Sequence, residues 1–314
     1  MATPKLILLI GLPGSGKSTW ARKMVEEKPE MVHLSSDAIR AELYGDENIL
    51  GDHTKVFGLM EKRMRAALKE GRDVIYDATN INARSRTGLL NLLRTARIEC
   101  EKHAILFATP YEECVARDAA RDRRVGEEVI HRMMCYFQPP WFNEGWDAIY
   151  VESRIDDNPE VVFKTTELFE AAEDFDQHNK HHRLSLGHHM RSAADYVLIK
   201  DGREIVYYAA MWHDIGKMDT QTFGEDGEAH YYGHEYASAY RWVTGAQFAE
   251  YLRSHNIDDL TRGLFIGVVI CWHMIPYKSK ENEGGFELWA KKKGFNEDEI
   301  SCINAVHEAD VAAH

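Results

Sequence analysis

The stretch Gly11-Leu-Pro-Gly14-Ser-Gly16-Lys17-Ser18 fits the pattern GxxxxGK(S/T) at every fixed position. It directly follows the apolar run Leu6 to Ile10, which is typical of a buried parallel strand. In this pattern the backbone N–H groups of the loop surround phosphate oxygens, and the helix that follows adds a favourable dipole. The sequence therefore predicts a strand, a phosphate-binding loop (P-loop) and a helix, in that order.

The residue types of the loop indicate ATP with Mg²⁺ as the ligand. We expect Lys17 to reach the β- and γ-phosphates and Ser18 to contact the Mg²⁺ ion. Asp77, which follows a later strand, occupies the place of an acid that assists the metal. The predicted cofactor-binding set is Gly11, Pro13, Gly14, Ser15, Gly16, Lys17, Ser18, Thr19 and Asp77.

Strand-like and helix-like segments alternate through the first half of the chain. The strand-like runs cover residues 6–10, 32–35, 74–76, 104–108 and 148–151. Such alternation predicts an α/β domain, in which a parallel sheet carries crossover helices on both faces. Ligands of such sheets lie beyond the carboxyl ends of the strands, so the informative polar residues should follow the strands.

Polar residues do follow the second and third strands. Asp37 and Arg40 are spaced to share one face of a helix start, so Asp37 is either a general base beside a phosphate-binding Arg40 or a helix N-cap. Asp77 has the same two interpretations, metal-assisting acid or cap. Thr79, Asn80 and Arg84 follow Asp77 closely, and the kinase resemblance given below implies that they belong to the acceptor site.

A basic segment, Arg117 to Arg124, falls where P-loop kinases carry a lid whose arginine stabilises the transferring phosphoryl group. Within this segment the kinase resemblance given below implies Arg121 as that arginine, with Arg123 as the alternative.

The second half of the chain is predicted to be all-α and is rich in histidine and acidic residues. The candidate metal ligands, selected by the family resemblance given below, are His189, His213, Asp214, His234, His273 and Asp310, with His188 as an alternative to His189. Imidazoles and carboxylates at helix ends that face one cleft are able to bind one or two divalent transition metals. Lys217 completes the motif His213-Asp214-Ile-Gly-Lys217, and His181 and His182 are candidates for lining the pocket.

The distribution of charged residues also differs between the two halves of the chain. Residues 1–155 hold 23 Lys and Arg against 23 Asp and Glu, whereas residues 156–314 hold 15 against 28, which gives the whole net charge of −13. This balance argues against tight general binding of duplex nucleic acid, because phosphate contacts dominate that affinity. We predict a first domain over residues 1–155, a linker over 156–176 and a second domain over 177–314.

The chain is predicted to be a cytoplasmic protein. The five cysteines are scattered without a CxxC spacing, so we expect reduced thiols. No signal peptide is expected at the start of the chain, and the longest apolar stretch, near residues 263–276, is expected to be too short to span a membrane.

Four features together resemble the kinase domain of phage-type polynucleotide 5′-kinases over about residues 1–150. They are the P-loop, Asp37-x-x-Arg40, Asp77-x-Thr79-Asn80 and the Arg117/Arg121 lid. The resemblance implies that Lys17 and Ser18 bind ATP·Mg²⁺ and that Asp37 is the base for a 5′-hydroxyl. Arg40 would hold the adjacent 3′-phosphate of the strand, Thr79 and Asn80 would shape the acceptor site, and Arg121 would clamp the donor phosphates.

The second half resembles the HD-domain phosphohydrolases over about residues 177–314. That resemblance implies that His189, His213, Asp214 and Asp310 bind a first metal. It also implies that His234 and His273 bind a second one, with Asp214 as the bridge. Lys217 would neutralise charge on the phosphoryl oxygens.

The two resemblances imply a bifunctional enzyme acting on single-stranded or nicked RNA or DNA ends. One domain would phosphorylate 5′-OH ends, and the other would hydrolyse 2′,3′-cyclic, 2′- or 3′-phosphates. Two alternatives stay open from the sequence: a kinase and nucleotidase for small nucleosides or nucleotides, and a regulatory protein gated by nucleotide and metal. The sequence does not indicate an oligomeric state.

Overall fold

The chain is described here by a computed structural model, which covers residues 3–46, 49, 51–121, 124–153, 158–178, 184–254, 256–278 and 285–313. It packs as two compact units. The N-terminal unit comprises Met1–Ile130 and Glu144–Ser153, and the helical unit comprises His131–Asn143 and Arg154–His314. Each unit has its own core.

Five parallel strands form the sheet of the N-terminal unit, in the order β2-β3-β1-β4-β5. In chain order the elements of this half are β1 Lys5–Ile10, α1 Lys17–Glu27, β2 Val32–Ser35, α2 Ser36–Tyr44, α3 His53–Lys69, β3 Val74–Asp77, α4 Ala83–Thr95, β4 Glu101–Ala108, α5 Tyr111–Ala119, α6 Glu127–Met134 and β5 Ala148–Ser153. The prediction of a parallel α/β sheet is confirmed.

The central strand β1 is apolar along its length because helices cover both faces of the sheet. Leu6, Leu8, Leu9 and Ile10 are fully buried. A two-sided burial of this kind gives a continuous apolar run rather than an alternating one. The run ends at Gly11, so the P-loop begins at the carboxyl edge of the sheet.

Helices dominate the second unit, as predicted. Its elements are α7 Pro159–Glu173, α8 Leu186–Lys200, α9 Glu204–Trp212, α10 Lys217–Thr220, β6 Thr222–Phe223, β7 Ala229–His230, α11 His234–Val243, α12 Ala246–Arg253, α13 Ile257–Trp272, α14 Ile275–Lys278, α15 Gly285–Lys292 and α16 Glu297–Ala312. Helices α8, α9, α11, α13 and α16 pack against one another as its core. The short strands β6 and β7 form an antiparallel hairpin.

A helix occupies much of the segment predicted as a linker. Asn158 caps α7 by accepting a hydrogen bond from Glu160 N, and Pro159 takes the first helical position, where its missing N–H costs nothing. Val161, Thr165 and Ala172 are buried in the helical unit. Residues 159–173 therefore belong to a packed element, and residues 131–143 also pack with this unit, although the predicted boundary lies at 155. The roles predicted for the two domains do not depend on this difference.

One helical stretch, Ile257–Lys278, is long and apolar enough to cross a membrane by length and composition. The expectation that this region is too short to do so was wrong, because the helical stretch extends to both sides of the apolar residues 263–276. Its most apolar window is 61% buried inside the protein, and core helices of soluble proteins pass the same criterion.

Candidate functional sites

The P-loop connects β1 to α1 with glycines where other residues do not fit. Gly14 has a φ of 84°, and a Cβ there would lie 2.3 Å from the carbonyl oxygen of Cys114. Gly16 also has a left-handed φ, 99°, at the N-cap of α1. The loop is therefore held close to α5 by backbone that only glycine tolerates.

Lys17 lies folded into the loop. Its Nζ donates hydrogen bonds to the carbonyl oxygens of Gly11 (2.9 Å) and Leu12 (2.7 Å). Burial lowers the pKa of Lys17 to about 8, although the charges of Asp77 and Asp37 oppose the shift. Phosphate oxygens in the loop would favour the charged ammonium, so nucleotide binding and protonation of Lys17 support each other.

Asp37 and Arg40 form an ion pair in the first turns of α2. Arg40 Nη1 lies 2.7 Å from Asp37 Oδ1, the Arg40 side chain is buried, and the Asp37 side chain is 47% exposed. Ser35 is the N-cap of this helix, with its hydroxyl accepting from Ala38 N. The alternative interpretation of Asp37 as the cap was therefore wrong, and its carboxylate stays accessible to a substrate.

Asp77 ends β3 and is buried. Its Oδ2 lies 3.0 Å from Nε2 of His33, a contact that the sequence did not reveal because it joins two strands. The next helix, α4, is capped by Asn82, whose side chain accepts from Ser85 N. Asp77 is therefore not the cap that its second interpretation required.

Thr79 and Asn80 support the P-loop from the neighbouring strand end. The carbonyl oxygen of Thr79 accepts a hydrogen bond from Gly11 N (3.0 Å), and Asn80 Nδ2 donates to Leu9 O (2.8 Å). Asn80 adopts a left-handed φ of 47° to do so. Through these hydrogen bonds both residues stabilise the start of the P-loop. Their role in binding the acceptor stays a prediction. Arg84 is exposed on the first turn of α4.

The predicted lid begins at the end of α5. Arg117 pairs with Glu113, and its Nη1 lies 3.4 Å from the carbonyl oxygen of Gly14 in the P-loop. Arg121 is exposed and close enough to Lys17 that its charge contributes to lowering the pKa of that lysine. Arg117 is thus a second candidate for contacting donor phosphates. Arg123 lies outside the described residues.

The helical unit brings all six predicted metal ligands together. They are buried and come from five helices or their ends: His189 in α8, His213 and Asp214 directly after α9, His234 at the start of α11, His273 directly after α13, and Asp310 in α16. They form two groups that share Asp214, and the ligand atoms of each group lie within 4.8 Å of one another.

Each imidazole is oriented by a backbone carbonyl. Nδ1 of His213, His234 and His273 lies 2.7, 2.8 and 2.7 Å from the carbonyl oxygen three residues earlier in the chain. Nδ1 of His189 lies 3.4 Å from Ala313 O. A proton on Nδ1 leaves the lone pair on Nε2 free for a metal. Metal-binding histidines usually donate their other ring N–H to a carbonyl or carboxylate oxygen in this way. The rings therefore turn Nε2 toward a common centre.

Asp214 divides its two carboxylate oxygens between the two groups. Its Oδ2 lies 3.4 Å from His189 Nε2 and 3.3 Å from His213 Nε2. Its Oδ1 lies 3.1 Å from His234 Nε2 and 3.8 Å from His273 Nε2. The carboxylate is thus placed to bridge two positions.

Asp310 serves only the first group. Its Oδ1 lies 3.0 Å from His189 Nε2 and 3.5 Å from His213 Nε2. For metal–ligand bonds of about 2.0–2.2 Å, neighbouring ligand atoms lie about 2.8–3.1 Å apart in octahedral geometry and about 3.3–3.6 Å apart in tetrahedral geometry. Within the described part of the chain, the Nε2 atoms of His213, His234 and His273 are buried and form no hydrogen bond of good geometry, although an oxygen of Asp214 lies 3.1–3.8 Å from each of them. Both observations fit a site for one or two divalent metals.

The electrostatics of the cluster also fit a cation. Burial opposes ionisation of Asp214 and Asp310, but the surrounding histidines hold the pKa of both carboxyls well below the usual range, and the charge of Lys217 contributes at Asp214. Burial likewise opposes charge on His213, but the two carboxylates raise its pKa to about 10. Burial and the charge of its histidine neighbours lower the pKa of His273 to about 3. Without a metal, protons therefore supply the positive charge.

His188 is excluded as the alternative ligand in α8. It is exposed, and its Nδ1 contacts the Ser185 hydroxyl at 2.7 Å, whereas the next residue, His189, is buried in the cluster. The other two histidines named from the sequence, His181 and His182, lie outside the described residues.

Several residues around the cluster were missed by sequence reasoning. Gln177 Oε1 accepts a hydrogen bond from Lys217 Nζ (2.8 Å). The same Nζ atom lies 2.6 Å from Asp214 Oδ2. The Tyr277 hydroxyl donates to Asp310 Oδ2 (3.0 Å). No motif surrounds Gln177 or Tyr277, and their contacts cross between separate elements. They hold Lys217 and Asp310 in position.

Comparisons with known proteins concern mainly the first half. Residues 6–140 match the family model described as an AAA domain. The L-seryl-tRNA(Sec) kinase of Methanococcus maripaludis is 28% identical over 174 residues, which are 52% of this chain and 60% of that protein. The chain thus spans less than two thirds of that relative.

Two solved structures are also similar over part of their length. A chain of the Pnkp1/Rnl/Hen1 RNA repair complex is 29% identical, with a TM-score of 0.37, over 42% of this chain and 43% of that one. A fungal RNA kinase is 17% identical, with a TM-score of 0.40, over 51% and 41%. The segment that matches the family model carries the P-loop. By its P-loop, its family match and its likeness to the kinase from Methanococcus maripaludis, the N-terminal unit is a P-loop domain similar to kinases. The helical unit holds a buried His/Asp cluster able to bind metal.

Proposed function

We propose that this protein repairs broken ends of RNA or DNA. One site would transfer the γ-phosphate of ATP to a 5′-hydroxyl, and the other would hydrolyse a 2′,3′-cyclic, 2′- or 3′-phosphate. The observation that carries the proposal is the presence in one chain of two complete sites, a P-loop with Asp37 and a six-ligand His/Asp cluster. Cleavage that leaves a 5′-hydroxyl and a cyclic phosphate creates substrates for both. A cytoplasmic location is part of the proposal.

The kinase reaction follows from residues at the carboxyl edge of the sheet. The exposed carboxylate of Asp37 would accept the proton of the attacking 5′-hydroxyl. The hydroxyl oxygen would then bond to the γ-phosphorus while the bond between that phosphorus and ADP breaks. Arg40 holds Asp37 in place and would contact a neighbouring phosphate. Lys17 would leave the carbonyls of Gly11 and Leu12 to neutralise the β- and γ-phosphates.

An acceptor attached to nucleic acid is supported by the sequence motifs and by one relative. The protein from Methanococcus maripaludis is, by its name, a kinase of L-seryl-tRNA(Sec), a substrate that contains RNA. The order of the four kinase motifs resembles that of polynucleotide 5′-kinases. We therefore favour a nucleic-acid acceptor over a free nucleoside.

The phosphoesterase half rests on the His/Asp cluster. Divalent metals bound there would polarise the phosphate ester and activate water for attack. Lys217 stands beside the shared carboxylate of Asp214 and would neutralise charge on the phosphoryl oxygens. Gln177 and the ring of Tyr231 hold the Lys217 ammonium at that place.

The test is an oligonucleotide that carries a 5′-hydroxyl and a 2′,3′-cyclic phosphate, followed at both termini with ATP and a panel of divalent cations. We expect a 5′-phosphate to appear and the terminal phosphate to be released. The Asp37→Ala variant should abolish only the first change, and the Asp214→Ala variant only the second.

Free nucleosides and nucleotides are tested in parallel. If labelled phosphate enters only nucleosides, the nucleic-acid acceptor is wrong. If the purified protein converts neither kind of substrate with any cation while still binding ATP, the protein is regulatory and not an enzyme.

A further inference from the structure

Two aromatic side chains meet on one face of the β6–β7 hairpin of the helical unit. Phe223 pairs with Ala229 in the register of the hairpin. On the other edge of β7, Ala229 N donates a hydrogen bond to the carbonyl oxygen of His178 (2.9 Å). Phe223 and His178 therefore flank a residue with a small side chain, and their rings come together with centroids 5.6 Å apart.

This pair, called here the aromatic platform (His178 and Phe223), is open to solvent. Phe223 is 59% exposed, the His178 side chain is 51% exposed, and Ala229 between them is buried. The two rings meet at 64°, so a flat ligand stacked on the ring of Phe223 would contact the edge of His178.

The platform is joined to the His/Asp cluster by a short chain of contacts. Asp214 Oδ2 lies 2.6 Å from Lys217 Nζ, and Lys217 Nζ donates to Gln177 Oε1 at 2.8 Å. His178 follows Gln177 directly, and consecutive Cα atoms are about 3.8 Å apart. The Tyr231 hydroxyl donates to the carbonyl oxygen of Gln177, which fixes the segment between the platform and the cluster.

We propose that the aromatic platform stacks the base of the terminal nucleotide whose phosphate lies at the His/Asp cluster. This inference rests on the proposed phosphoesterase function and names its substrate-positioning subsite. Every base has a flat π face, so stacking on an aromatic ring is tolerant of sequence, as a general end-processing site requires.

Charge around the platform favours a base over a phosphate backbone. Asp176 lies beside His178, with 3.4 Å between the carboxylate Oδ2 and the ring Nδ1, and the hairpin turn carries the exposed residues Glu225 and Asp226. These carboxylates repel phosphates but not a neutral base. The platform therefore takes the terminal base alone and does not extend into a groove for a longer strand.

The opposite face of the hairpin supplies a matched control. His230 pairs with Thr222, so its side chain points away from the face of Phe223 and Ala229. Tyr232 stacks on His230, with ring centroids 5.6 Å apart and 13° between the planes, and is 80% exposed. Tyr232 thus offers an exposed ring directly after the same hairpin and outside the platform.

The catalytic test compares two oligonucleotides that end in a 3′-phosphate, one with a normal terminal base and one with a tetrahydrofuran analogue of the abasic sugar, which cannot lose phosphate by β-elimination, using Mn²⁺-loaded protein. The wild type should show a KM about 10-fold lower for the end with a base, the effect of one base–aromatic stack. Phe223→Ala should remove this preference without changing kcat. Phe223→Tyr, which keeps the ring, and Tyr232→Ala should both retain it.

A binding test separates failure of the platform from failure of the phosphoesterase. The probe is an oligonucleotide that ends in 2-aminopurine with a non-hydrolysable 3′-phosphonate. Stacking on the platform should quench its fluorescence in the wild type and in Tyr232→Ala, but not in Phe223→Ala.

The platform is refuted if Phe223→Ala keeps the preference and the quenching, or if Tyr232→Ala loses them equally. If the wild type releases phosphate from neither oligonucleotide but quenches the probe through Phe223, the base-binding subsite stands and the proposed phosphoesterase function is wrong.

Discussion

Binding of Mn²⁺ to the metal-free His/Asp cluster should release protons to solvent. Metal ligands must be deprotonated, and the two carboxylates raise the pKa of His213 to about 10 in the metal-free protein. The carboxyls of Asp214 and Asp310 are already ionised, since the pKa of each is held well below its usual range. The released protons therefore come from histidine.

The number of protons follows from the pKa values. At about pH 7.5, a group with a pKa of about 10 is almost fully protonated, so His213 should release about one proton. His189, whose pKa is also raised by the two carboxylates against the effect of burial, adds a further fraction. His273, with a pKa lowered to about 3, adds none. Because protons compete with the metal, affinity should rise at least about tenfold per pH unit between pH 6 and 8.

Isothermal titration calorimetry measures this release directly. Titrations of metal-free protein with Mn²⁺ in buffers of different ionisation enthalpy give the number of protons from the slope of the apparent enthalpy. The His213→Ala variant should lower the number by about one. The His273→Ala variant should weaken binding but leave the number unchanged, because that imidazole is neutral beforehand.

Two results would refute this reasoning. One is tight Mn²⁺ binding by the wild type with no proton release and no dependence on pH. The other is an equal fall in the proton number for both histidine variants, which would mean that the carboxylates do not distinguish the two rings.

Three further predictions concern separate parts of the chain. Asp37→Asn should lower the rate of 5′-phosphorylation by about 10²- to 10⁴-fold, because the base is lost, and equal loss of ATP binding in a fluorescence titration would contradict this role. His213→Ala should abolish phosphate release but leave ATP-dependent phosphorylation intact, so joint loss in parallel assays would argue against independent sites. Arg86→Met should cost the N-terminal unit about 3–5 kcal/mol in urea unfolding, because Glu144 would be left buried without its bidentate partner. The exposed Arg84→Met variant should change that free energy by less than about 0.5 kcal/mol, and equal losses would show that the buried pair is not the cause.

Much of the N-terminal unit could be predicted from the sequence because its signals are local. The P-loop pattern fixes a strand, a loop and a helix within a few residues, and the apolar run of β1 indicates two covered faces. The competing cap interpretations of Asp37 and Asp77 could not be resolved in the same way. Ser35 and Asn82 cap the helices instead, and only the positions of the helix starts reveal this.

The six candidate metal ligands were predicted from the motif His213-Asp214-Ile-Gly-Lys217 together with the resemblance to HD-domain phosphohydrolases, and the structure brings all six together. The residues that position them were not predicted, because their contacts join distant parts of the chain. Tyr277 reaches Asp310 across 33 residues, and Gln177 reaches Lys217 across 40. Such contacts depend on how the helices pack. The helix α7 was missed for another reason, since a run of acidic residues after Asn158-Pro159 has the composition of a linker.

Three of the four imidazoles in the cluster are held by the carbonyl oxygen three residues earlier in their own chain segment. The aim of each ring is therefore set within a single helical turn and does not rely on the other ligands. Loss of one ligand should thus lower metal stoichiometry or affinity in steps and leave the remaining rings directed as before. Because each ring is oriented by its own helical turn, the site can tolerate exchange of its ions, and even replacement of a ligand over evolutionary time, without a change in the orientation of the other rings.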